Sequence, residues 1–106
     1  MNLEFKYYEL DKNEKAKLLL KIRDELIRVN GIIFAYVHGG FIESKYFRDI
    51  DIAIWIKNWN EAFNYTINLP VTLELKFNYP IDIQILNEAP LPFKYHVFTN
   101  GKTIIF

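Results

Sequence analysis

Between Asp49 and Ile56 every second residue is an isoleucine, and few folds can absorb such a segment. A strand turns successive side chains to opposite faces. Ile50, Ile52, Ile54 and Ile56 therefore point one way, and Asp49, Asp51, Ala53 and Trp55 the other. A face made wholly of isoleucine must be buried under a second layer. Pro80 to Leu86 repeats the pattern, with Ile81, Ile83 and Ile85 on one face and Asp82 and Gln84 on the other. Ile32 to Val37 is a continuous apolar run too short for a helix, and reads as a buried strand that stops at Gly39-Gly40.

Helical signals surround these strands. Asp11, followed three residues later by Glu14, reads as a helix start, because both carboxylates suit the free amides and the dipole of a first turn. Leu18, Ile22, Leu26 and Val29 then form one apolar stripe, and Asn30-Gly31 ends the helix. Trp59 to Tyr65 reads as a short helix after Asn58. Two segments stay open. Residues 71–77 alternate like a strand, yet Leu69, Leu73 and Phe77 also fit one helical face. Asn100-Gly101 reads either as a hairpin turn joining 94–98 to 102–106 or as the end of a short helix, with 103–106 a strand either way. Residues 3–8 carry a weak signal for a short strand or an ordered arm. These elements make an α/β (α+β) fold in which strands near 32–38, 49–56 and 81–86 share a sheet.

A chain of 106 residues has room for one core, so a single domain is expected over 1–106. Thirteen basic residues balance thirteen acidic ones, leaving no global field to hold an extended nucleic acid; phosphate binding must be local. The absence of cysteine excludes disulfides, thiolate zinc sites and cysteine nucleophiles. No apolar run approaches the roughly 20 residues that span a bilayer, and the first residues have no signal-peptide core. A cytoplasmic protein is expected, with a homo-oligomer possible.

The chemistry concentrates on three aspartates. Asp49 and Asp51 lie on one face of one strand, roughly 6–7 Å apart along it. Paired anions repel unless a cation joins them, and two Mg²⁺ ions completed by a nucleoside triphosphate are a common resolution. Asp82 has the same parity on its own strand and becomes a third ligand if the strands are neighbours. Gly39 and Gly40 let a phosphate approach backbone amides, and a helix starting near Ile42 would aim its positive end there. Arg48 and Lys45 are nearby cations, Arg48 a candidate to bind the phosphates, with a solvated loop position the alternative for each. Trp55 shares the carboxylate face and could stack a base or equally serve at a rim or interface. His38 reads as an oriented strand-end residue, since Mg²⁺ prefers oxygen. Tyr7, Tyr8, Trp59, Phe93 and Tyr95 are expected to pack against the core or a partner. The charges of the first helix, Lys15 among them, read as a solvated face.

Taken together, Tyr36-Val37-His38-Gly39-Gly40, eight further residues, and Asp49-Ile50-Asp51-Ile52-Ala53-Ile54 resemble the signature of the polymerase-beta-like nucleotidyltransferases. Pro80 to Leu91 resembles the third-carboxylate strand of their minimal members and the Leu-Asn-x-Ala-Pro-Leu that follows it. The likeness covers about residues 32–106. It implies a mixed β-sheet with helices packed mainly on one side, and helices over 69–77 and 92–99. It assigns Asp49, Asp51 and Asp82 to catalysis and to two Mg²⁺ ions, and Gly39 and Gly40 to the phosphates of ATP. Two departures stand out: Gly40 replaces a common serine, and the spacer before Asp49 is about two residues short.

The resemblance further implies transfer of AMP from ATP to a hydroxyl, with a tyrosine of a HEPN toxin as acceptor and this chain as antitoxin. A module of the same fold that neutralises a partner by contact alone is the alternative. Keeping three acids at a strand end favours the enzyme, since unpaired acids there are a cost. Transfer to a small molecule lacks any visible acceptor pocket.

Overall fold

The computed structural model describes residues 6–105. Strand β1 is short (Tyr8–Glu9), so only the end of the weak 3–8 signal is realised, and residues 3–5 lie outside the described region. Asp11 then starts helix α1 (Lys12–Ile27). Its carboxylate accepts from the Glu14 amide at 2.7 Å, and Glu14 accepts in return from the Asp11 amide at 3.1 Å. This reciprocal cap satisfies two donors that a helix start leaves without partners. Leu19, Ile22 and Leu26 are buried along α1, while Leu18 and Val29 sit half-buried at the edge of the stripe. The helix stops earlier than its glycine suggested, with Arg28 as its last cap. Gly31, at φ 95°, instead turns the chain into the sheet, where any side chain would collide with the Tyr65 hydroxyl.

The chain continues through β2 (Ile32–His38), the single helical turn α2 (Gly40–Glu43), β3 (Tyr46–Phe47) and β4 (Ile50–Ile56). From Trp59 to Phe77 the backbone is helical almost without a break. A 3₁₀ turn at Trp59–Glu61, capped by the Asn58 side chain, leads through a π turn at Asn64–Asn68 into α3 (Leu69–Phe77). The short helix expected over 59–65 is thus the first part of a longer passage. Pro70 accounts for the wider turn. It cannot donate to the carbonyl four residues back, and its ring crowds that carbonyl. The Leu69 amide reaches Asn64 instead, and the Thr66 hydroxyl donates to Ala62 at 3.0 Å. The strand-like alternation over 71–77 is overruled: Leu73 is buried, with Leu69 and Phe77 packed beside it. Asn78 ends α3 in the left-handed conformation (φ 62°).

Strand β5 (Ile81–Ile85), helix α4 (Leu91–Asn100) and strand β6 (Lys102–Ile105) complete the fold. The hairpin alternative for Asn100-Gly101 gives way to the helix end, where the Gly101 amide donates to the Val97 carbonyl at 2.8 Å.

Four strands form a mixed sheet in the order β5-β4-β2-β6, and β1 pairs with β3 in a separate two-stranded ribbon. Strands β4 and β2 are antiparallel, as are β2 and β6; β4 and β5 are parallel. The isoleucines of β4 are essentially inaccessible and meet Ile22, Leu26 and Leu73 from α1 and α3. Burying each such side chain contributes roughly 2 kcal/mol. The opposite face is covered in part by α4, whose Val97 joins Ala53 and Leu86, flanked by Phe34, Tyr36, Trp55 and Phe93. Helices thus gather mainly on one side, and the uncovered part of the other carries the aspartates. Among the described residues no helix is long and apolar enough to cross a membrane.

Candidate active site

The register of two parallel strands builds the site. Asp51 on β4 stands opposite Asp82 on β5, just as Ile50 stands opposite Ile81 and Ile52 opposite Ile83. Partners in register share a face, so both carboxylates project from the side away from the isoleucine core. Glu74 of α3 pins the start of β5 by accepting from the Ile81 amide at 2.8 Å, and the Ile50 amide donates to Pro80 at 2.9 Å. Beyond β5, the Asn87 side chain takes over as a strand surrogate. It accepts from the Ile56 amide at 3.0 Å and donates to the Ile56 carbonyl at 2.9 Å. That pairing was not legible as such in the sequence, although Asn87 lies in the motif that carried the resemblance.

From the other side, antiparallel β2 sets His38 opposite Asp51. Strand β2 ends there, and Gly39 turns the chain with φ 75°. A Cβ on Gly39 would lie 2.5 Å from Asp51 Oδ2, so only glycine lets the backbone pass this close to the carboxylate. Gly40 opens α2, which lasts a single turn and starts two residues before the expected Ile42.

Lys15 proves to be a fastener of this loop, not part of a solvated face. Its ammonium donates to the Phe41 carbonyl at 2.7 Å and to the Ser44 carbonyl at 2.8 Å, above the Phe41 and Phe47 rings. Burial lowers its pKa. No periodicity marks this role, because Lys15 stands in a run of ordinary helix-surface charges.

Asp49 lies one residue before β4, half-buried, and its charge acts on Asp51. Burial raises the Asp51 pKa most, the Asp49 carboxylate next, and Asp82 adds to it; the Gln84 hydrogen bond and the His38 ring oppose the rise. Gln84 lies two residues beyond Asp82, and its Nε2 donates to Asp82 Oδ2 at 2.6 Å and to Asp51 Oδ1 at 3.1 Å. Its Oε1 lies 2.7 Å from His38 Nε2. An amide that donates to two carboxylates must turn its oxygen to His38, so His38 donates from Nε2. His38 is buried, and its ring meets Phe93 edge-on with centroids 5.5 Å apart.

The other residues singled out from the sequence divide. Arg48 is exposed beside Asp49. Lys45 is drawn to Glu9 across the β1–β3 ribbon, at 3.3 Å. Trp55 is half-buried against Phe34, with Lys94 over its ring. Tyr8 packs on Phe47 and Tyr79, whereas Tyr7, Trp59 and Tyr95 are exposed. A cleft of about 690 Å³ lies between the start of α1 and α2, lined by Asp11, Lys15 and Ile42, but no aspartate of the site reaches it. Among the described residues, no three acidic or imidazole side chains stand as a ready-made metal site. The amide of Gln84 lies between the two carboxylates that would face such an ion.

Known structures share this architecture. The chain is similar to one in the complex of tri-AMPylated Shewanella oneidensis HEPN toxin with MNT antitoxin, with a TM-score of 0.64 and 23% identity over 85% of this chain and 71% of the other. It is similar to a chain of the toxin–antitoxin MntA–HepT, with a TM-score of 0.61 and 22% identity over 83% and 70%. A toxin–antitoxin with AMP-PNP gives a TM-score of 0.60 and 24% identity over 90% and 73%. At these identities the likeness establishes the fold. A search of curated proteins found no match. The family model for polymerase beta nucleotidyltransferases matches residues 20–106, which include all four strands of the mixed sheet and the three aspartates. The chain belongs to the polymerase beta nucleotidyltransferase family.

Proposed function

We propose that this chain is a cytoplasmic, Mg²⁺-dependent nucleotidyltransferase that moves AMP from ATP to a tyrosine hydroxyl of a HEPN partner and serves as that partner's antitoxin. The observation that carries the reading is the parallel register of Asp51 and Asp82 beside the Gly39 turn. The similar structures lend the acceptor and the nucleotide: one holds a tri-AMPylated HEPN toxin, another AMP-PNP.

The donor chemistry fits a hard cation, since Asp49, Asp51 and Asp82 offer only carboxylate oxygens. When bound, Mg²⁺ neutralises charge on the triphosphate and on the acceptor oxygen. Asp49 and Asp51 would hold both ions, and Asp82 the one nearer the acceptor. The backbone of Gly39 and Gly40 would seat the β- and γ-phosphates, with Arg48 at the rim. Asp82 orients the acceptor hydroxyl and draws off its proton as the oxygen attacks the α-phosphorus and pyrophosphate departs.

The acceptor must be presented by a partner, and one surface suits a protein. Phe63, Ile67, Val71 and Leu75 recur every four residues along the outside of the π turn and α3, each half or more exposed. No charged residue occurs from Ala62 to Leu73. Charge depletion around exposed apolar side chains is the composition of an interface core.

A second reading has an observation of its own. The Gln84 amide donates to both Asp51 and Asp82, and Gly40 lacks the hydroxyl of a serine. On that reading the domain neutralises its partner by contact alone. Incubation of the proposed HEPN partner with labelled ATP and this chain decides between them. The enzyme reading expects adenylate on a partner tyrosine, read by mass spectrometry. Asp82→Ala should keep nucleotide binding and lose transfer, whereas Asp49→Ala and Asp51→Ala should lose both. If nothing is modified and all three variants still neutralise the partner, contact alone is the mechanism.

A further inference from the structure

Two carboxylates facing each other on adjacent strands repel, and in this site a neutral side chain quiets them. The two hydrogens of the Gln84 amide nitrogen are spent one on each, at 2.6 Å to Asp82 and 3.1 Å to Asp51. The orientation of that amide is held from behind, because its oxygen accepts from His38 Nε2 at 2.7 Å. His38 is itself fixed, being buried, placed opposite Asp51 by the strand register and closed in by the Phe93 ring. His38, Gln84 and the two aspartates form one chain of donors and acceptors, and among the described residues no buried side-chain polar atom lacks a partner.

We infer that Gln84 is a built-in occupant of the cation position, competing with divalent metal for Asp51 and Asp82 and latched in place by His38. The inference rests on the reading of those aspartates as metal ligands. A cation bridging Asp51 Oδ1 and Asp82 Oδ2 would stand where the amide nitrogen stands, so the amide must withdraw or turn before metal bridges that pair. Either movement breaks its bond to His38. The apparent metal affinity is reduced by the fraction of molecules in which the amide has let go. Gln84 and His38 are positioning residues here; neither needs to touch the reacting atoms.

The test uses the intact chain, Mn²⁺ as probe for affinity and Mg²⁺ for NMR. Gln84→Met keeps the length of the side chain without its donors, and Gln84→Glu replaces the donor nitrogen with an acceptor oxygen. Gln84→Met should bind Mn²⁺ at least about tenfold more tightly than wild type, the factor that one hydrogen bond to a charged group is worth, and Gln84→Glu more tightly still through its added carboxylate. The metal-free melting midpoints of both variants should fall, because the aspartates lose their donor. In wild type, the ¹⁵N resonance of His38 Nε2 should move as Mg²⁺ is added, since its acceptor departs. In Gln84→Met it should start elsewhere and stay. His96, exposed on α4, is the internal reference.

Equal or weaker Mn²⁺ binding by Gln84→Met overturns the inference and leaves the metal reading intact. A His38 resonance indifferent to saturating Mg²⁺ does the same. If none of the three proteins binds Mn²⁺, the metal reading falls and takes this inference with it.

Discussion

At the scale of single residues, Asp51 carries opposing demands. Burial first, and then the Asp49 carboxylate, hold its pKa above the ordinary aspartate value. A carboxyl whose pKa is raised by folding contributes stability that is present at acid pH and lost as the pH rises through the raised value. At neutral pH the folded chain therefore holds a carboxylate that the unfolded chain would solvate better. Asp51→Asn should raise the melting midpoint of the metal-free protein at pH 7 and remove this part of the pH dependence, as thermal melts from pH 3 to 8 would record. Mg²⁺ with ATP should stabilise wild type more than either alone, by roughly 2.7 kcal/mol at 100 times the dissociation constant. The Asn variant should show none of that gain. Gly39→Ala should fail differently. Its Cβ would press on Asp51 Oδ2 in a strained left-handed backbone, costing about 1–3 kcal/mol in urea unfolding and abolishing nucleotide stabilisation.

At the scale of elements, the site is positioned by pieces that carry no aspartate. Lys15 ties α1 to the carbonyls at the end of α2, so the Gly39-Gly40 turn is held from the helix that precedes β2. Lys15→Met keeps the apolar stem over Phe41 and Phe47 but loses both hydrogen bonds. It should lower stability by about 1–3 kcal/mol and weaken ATP binding without altering Mn²⁺ binding, as calorimetry with each ligand would show. The helical passage between β4 and β5 matters as much, since it brings Asp82 back parallel to Asp51. Leu73→Ala hollows its buried contact with the isoleucine face and should cost about 2–5 kcal/mol.

At the scale of the whole molecule, one side of the sheet is closed by α1 and α3, and the other is closed by α4 only beside the aspartates. The ridge of Phe63, Ile67, Val71 and Leu75 lies on the outside of the helical passage, away from the carboxylates, where a partner could grip the domain while its acceptor reaches the site. Ile67→Glu should leave the unfolding free energy within about 0.5 kcal/mol of wild type, the usual range for a surface change. It should abolish co-purification with the proposed HEPN partner. Retained co-purification would place the contact elsewhere on the molecule.

Period-2 alternation of isoleucine determined the strands β4 and β5 and put Asp51 and Asp82 on the polar face of each, because a strand offers no other way to bury such a face. The Asp11–Glu14 spacing likewise determined the start of α1, since a cap is a local bond between near neighbours. Residues 71–77 fitted both periods, and only the isoleucine layer beneath Leu73 decided for helix. What no local pattern carried was contact between residues far apart in the chain. The parallel pairing of β4 with β5, the reach of Lys15 to Ser44, and the reach of the Gln84 amide to Asp51 and His38 all span distances at which sequence spacing has no geometric meaning. Packing alone sets those distances, so the tertiary structure decided them.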